Sequence, residues 1–176
     1  MNVKNHRGIP ENHPIKKLFR DLTERALIQT RLRDEDVLSY LANLLVDFVY
    51  MENLYRPDES GKRQEYLFDM LQRANETEMP EKKARYKHVG DFSLFTLGMF
   101  PEYIVHRRNA LSANYYSNFG RIGYKAAGEL ESDSWRVGTF RKLAAEFESC
   151  VKSLRWVREY TTDPFYQVMF RHFDIV

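Results

Sequence analysis

Ten consecutive residues, Phe92 to Pro101 (FSLFTLGMFP), carry no charge and are almost all apolar. They are framed by His88 and Asp91 on one side and by Glu102 and His106 on the other. A helix that is apolar on every side belongs at the centre of a domain. The ionisable groups at its ends must then be paired, solvated or functional. The spacing predicts a central helix over roughly Lys82 to Phe100. Gly90 and Gly98 inside it cost about 1 kcal/mol each relative to Ala and permit close approach of a neighbouring backbone.

The rest of the chain reads as helices arranged around that one. Residues 1–13, with Gly8 and Pro10, form a flexible arm, and Pro14 suits a first helical position. Ile15, Leu18, Phe19, Leu22, Ala26 and Leu27 then recur at three- and four-residue steps. Asp34 is an N-cap, with Glu35 and Asp36 complementing the dipole of a second helix that runs to about Tyr55. Arg56–Lys62 reads as a loop; a short third helix buries Tyr66, Leu67, Met70 and Leu71; Asn75–Glu81 is a polar connection.

Ser112 caps a helix over Ala113–Leu130, whose apolar side carries Tyr115, Phe119, Ile122, Ala126 and Leu130. Its neighbouring face, with Tyr116, Gly120, Gly123 and Ala127, is small enough for tight contact. After the turn Ser132–Ser134, one long helix is expected over Trp135–Tyr160, then a last one from Phe165 to His172 behind Asp163–Pro164. No strand-like alternation, repeat or low-complexity stretch is present. The predicted fold is all-α: a single-domain bundle of six or seven helices over 14–176.

Composition narrows the function classes. The 176 residues can bury a real core, and 11 Tyr, 12 Phe and 2 Trp make that core aromatic. A net charge of +2 gives no general case for nucleic acid. Residues 1–33 are nonetheless basic, with eight Lys or Arg against three acids, a pattern usual for a solvated face. The single Cys150 excludes an internal disulfide and reads as a buried, inert thiol. No signal peptide or membrane-spanning run is recognisable, so a soluble protein of the reducing cytoplasm is expected.

Three sets of residues invite chemistry. Asp91 shares a helix face with Lys87 and His88, and pairing there is the expectation for a buried carboxylate. With Tyr115, Tyr116 and Tyr124 it forms the candidate ligand-binding set, the tyrosines lining a pocket through their hydroxyls. Glu102 and His106, four residues apart, together with Glu52, form a candidate metal site, with Asp47 and His172 as further donors. Bundle metal sites favour a Glu-x-x-His repeat, from which this spacing departs. The basic residues between Arg136 and Arg158 alternate with Glu146, Glu148 and Glu159, as on a mixed solvated face.

The segment Gly90 to Glu102, GDFSLFTLGMFPE, with Asn114-Tyr115-Tyr116 and Gly123-Tyr124 after it, resembles a group of uncharacterised bacterial all-α proteins over the middle third of the chain. That resemblance implies a bacterial, cytoplasmic, helical protein and transfers no catalytic residue. With no complete catalytic set, many aromatics and glycine-bearing helix faces, the expectation is a non-catalytic binding or interaction module without a cofactor, pairing with itself as a homodimer or with another protein. The alternatives are a di-iron or haem-oxygenase-like oxidoreductase using iron or another divalent metal, and a carrier of an apolar or aromatic small molecule. The oxidoreductase would draw on Glu52, Asp91, Glu102 and His106; the carrier would need a cavity beside Tyr115 and Tyr124.

Overall fold

The fold is seen in a computed structural model, which describes residues 10, 12–50, 67–105, 112–165, 167 and 168. The described residues form α1 (Pro14–Thr30), α2 (Glu35–Tyr50), α3 (Leu67–Glu76), α4 (Glu81–Met99), α5 (Pro101–Val105), α6 (Ala113–Glu129), α7 (Ser134–Ala145) and α8 (Phe147–Thr162). Seven of these are helices of ten residues or more, α5 is a five-residue turn, and no strand occurs among the described residues. The loop expected over 56–62 lies outside the described residues, as do nearly all of the 1–13 arm and most of the last helix.

Local chemistry explains where the helices start and stop. The His13 ring accepts from the Ile15 amide ahead of Pro14. Asp34 accepts from the amides of Asp36 and Val37, Ser112 from that of Tyr115, and Asp133 from those of Trp135 and Arg136. Each supplies an acceptor to a helix start whose amides have none within the helix. At the end of α1, Arg31 takes the left-handed conformation (φ 60°). Its amide bonds to Ile28 O, and the next amide, Leu32, bonds to Leu27 O. That Schellman closure usually employs Gly; an L side chain held there costs about 1–2 kcal/mol.

The charge-free helix sits at the centre as its composition requires. Every residue from Val89 to Gly98 in α4 is buried. Helices α3, α6 and α8 pack on it directly, α1 lies across α2 and α8, and α7 lies on α6. One hydrophobic cluster runs through all of them, from Ile15 and Phe19 to Leu154 and Val157.

The structure differs from expectation at two places. In α6 the deeply buried face is the small-residue one, Tyr116, Ser117, Gly120, Gly123, Tyr124 and Ala127; Tyr115 and Phe119 are half-buried and Ile122 is exposed. The reason is the close approach of neighbouring helices on that side. A Cβ at Gly123 would lie 2.7 Å from both Gly90 N and Tyr86 O of α4, and one at Gly120 would lie 2.3 Å from the Phe147 ring. The helix expected over Trp135–Tyr160 is divided at Glu146 (φ −98°, ψ 24°), which lets α7 follow α6 while α8 turns onto α1 and α4.

Candidate functional site

Asp91 is buried in the middle of α4 and is the meeting point of three elements. Its Oδ1 accepts from the Tyr40 hydroxyl of α2 at 2.6 Å and from the Tyr124 hydroxyl of α6 at 2.9 Å. Its Oδ2 accepts from Lys87 Nζ, one turn earlier on the same helix, at 2.5 Å. Gly90 makes this possible: a Cβ there would lie 2.6 Å from the Tyr124 ring, so only glycine lets that ring lie against α4 and reach the neighbouring carboxylate. Tyr40 and Tyr124 meet edge-on at 5.8 Å, and Phe140 of α7 packs within 6.2 Å of both.

The electrostatics follow from burial. Desolvation, reinforced by the Asp91 charge, pushes both tyrosine hydroxyls well above their ordinary pKa, so they act as fixed donors. Burial works against the Lys87 charge, but the attraction of Asp91 outweighs it and its pKa is raised. The Lys87 ammonium also lies 5.4 Å from the centre of the Tyr40 ring. With both oxygens engaged by three donors, Asp91 is a structural anchor rather than a free base.

Above Tyr40 and Lys87 opens a cleft of about 390 Å³ between α2, α4 and α7. Tyr40 and Phe140 line it together with Trp135, which remains 58% exposed and donates from its indole N–H to Asp36 at 2.9 Å. The charges in the cleft are largely matched: Lys83 pairs with Glu131 at 3.1 Å, and Asp36 is bridged to Asp34, outside the cleft, by Lys142 at 2.8 and 2.7 Å. Asn43 and Arg136 also line the cleft, and their side chains are exposed with no partner among the described residues.

The expected residues are thus only partly brought together. Asp91 and Tyr124 are in contact, and Lys87 rather than His88 is the carboxylate's ion-pair partner. Tyr115 and Tyr116 sit more than two turns away at the start of α6, Tyr115 against Phe119 with ring centres 4.4 Å apart. The cleft lies beside Tyr40 instead. Glu102 lies in the first turn of α5 and pairs with Arg158 at 2.5 Å. Glu52, His106 and His172 lie outside the described residues; among those described, no three His, Cys, Asp or Glu side chains are grouped to hold a metal. No described helix is long and apolar enough to cross a membrane. Cys150 is buried, and desolvation pushes its thiol up to about 12.

Sequence reasoning missed Tyr40, although its position between Val37 and Leu44 places it on the buried stripe of α2. It also left Trp135 without a role; an indole at the first turn of a helix was the available signal. Comparison with protein-family models, with curated proteins and with solved structures found no match to this chain.

Proposed function

We propose that the protein is a non-catalytic binding module that holds a planar aromatic small molecule in the cleft between α2, α4 and α7. One observation carries this reading: the largely exposed Trp135 indole lines the cleft together with the rings of Tyr40 and Phe140, beside Asn43 and Arg136, which have no side-chain partner among the described residues. Aromatic walls with a few convergent polar groups are the usual form of a small-molecule site, and the volume falls within the usual range of about 300–1,000 Å³. Arg136 favours a ligand bearing a carboxylate or sulfonate at its edge. The Asp91 network supports binding over catalysis because its carboxylate already serves three donors. The metal-enzyme alternative draws less support, since Glu102 is engaged by Arg158. A cytoplasmic setting accords with the single, buried thiol. Self-association is a separate expectation, read by size-exclusion chromatography with light scattering.

The test uses W156F, which leaves Trp135 as the sole indole. Titration with the aromatic sulfonate 1-anilinonaphthalene-8-sulfonate should give a saturable change in Trp135 fluorescence, weakened about five-fold or more by R136A. No saturable change, or equal binding by W135A followed through the probe's own emission, would overturn the proposal.

A further inference from the structure

A second groove, of about 460 Å³, runs between the end of α1 and one face of α8, away from the Asp91 cleft and sharing none of its residues. Three cations line it, Arg31, Lys152 and Arg155, against one carboxylate, Glu159. Ser149, Lys152, Trp156 and Glu159 recur at three- and four-residue steps and so stand on one face of α8. Trp156 is 42% exposed and its indole packs beside the Tyr160 ring, whose centre is 6.0 Å away. Arg155 is steadied from below, its Nε donating to Leu97 O of the central helix at 3.3 Å. Arg31 and Lys152 are exposed and have no partner among the described residues.

Arg31 is the telling residue. It occupies the left-handed position that closes α1, where glycine is the favoured choice, and it is one of the residues that line the groove. A side chain kept at a conformationally unfavourable position invites a functional reading. The groove's balance of three cations to one acid matches a dianion of the phosphate-monoester kind. An indole with a supporting ring beside that charge provides a stacking wall for a flat base, a use of aromatics common where phosphate and base are bound together.

We propose that the α1–α8 groove binds a mononucleotide, its phosphate held by Arg31, Lys152 and Arg155 and its base stacked on Trp156. This site is independent of the Asp91 cleft. The test therefore uses W135F, in which Trp156 is the only indole, so that its failure and the failure of the cleft reading are distinguishable.

AMP should quench Trp156 saturably, with adenosine and inorganic phosphate each binding about ten-fold more weakly or worse. Affinity should fall with added salt. The decisive variant is R31G, which removes the guanidinium while supplying the residue the backbone prefers. Its melting temperature should equal or exceed that of the parent while AMP binding weakens about five-fold or more. Absence of saturable quenching up to several millimolar AMP, or unchanged binding in R31G, would overturn the proposal. So would tight binding of oligoadenylate by a protein that ignores AMP, because that would mark a nucleic-acid surface instead.

Discussion

Substituting Ala at Gly123 and at Gly138 should move stability in opposite directions, although both glycines lie within helices. At Gly138 in α7 an added Cβ meets nothing within 4 Å. Only the helix-propensity gain remains, about 1 kcal/mol over Gly. At Gly123 the same methyl would lie 2.7 Å from Gly90 N and 2.7 Å from Tyr86 O. Both are backbone atoms of the central helix, so no rotamer change relieves the contact, and α4 and α6 must move apart. Overpacking of this kind costs about 1–3 kcal/mol, and here belongs at the upper end. Less the propensity gain, G123A should lose about 2 kcal/mol. For a chain of this length each kcal/mol shifts Tm by about 2–4 °C. Thermal melts followed by circular dichroism should place G138A about 2–4 °C above the parent and G123A about 4–8 °C below it. A G123A protein melting at or above the parent would refute the contact between α4 and α6, and with it the placement of Tyr124 over Gly90.

Removing the Asp91 carboxylate in D91A strands the Tyr124 hydroxyl, which is fully buried, and that of Tyr40, so urea midpoints should report a loss of about 2–4 kcal/mol; Y124F, which leaves the carboxylate two donors, should lose only about 1 kcal/mol. At high pH, Tyr40, Tyr124 and Cys150 all have folded pKa values above their unfolded ones, so the unfolded chain releases protons first; stability should be flat to about pH 9 and fall steeply beyond it, with the Cys150 share lost between pH 9 and about 12. In an alkaline titration, two tyrosines should ionise at 295 nm only as helical ellipticity disappears; ionisation of all tyrosines in a still-folded protein would contradict their burial. D133A should lose about 1 kcal/mol in the same urea assay, because two amides at the start of α7 lose their acceptor.

What could be read from the sequence was what depends on neighbours along the chain. The central helix emerged from its charge-free run because no surface helix tolerates ten such residues, and the caps Asp34 and Ser112 sit next to the amides they serve. The Asp91–Lys87 pair is four residues apart and was visible for the same reason. The divide at Glu146 was not, since Ala, Glu and Lys around it all favour helix; the break comes from α7 and α8 packing on different partners. Tyr40 was hidden by distance: 51 residues separate it from Asp91. The face of α6 illustrates the same limit from the other side. Hydrophobicity pointed to Tyr115, Phe119 and Ile122, yet the core is met by the glycine face, where the absence of side chains lets α6 lie against the α4 backbone. Glycine content, more than apolar content, therefore marks which sides of α4 and α6 meet, and it is this close approach that brings Tyr124 to Asp91 beneath the cleft that Tyr40 lines.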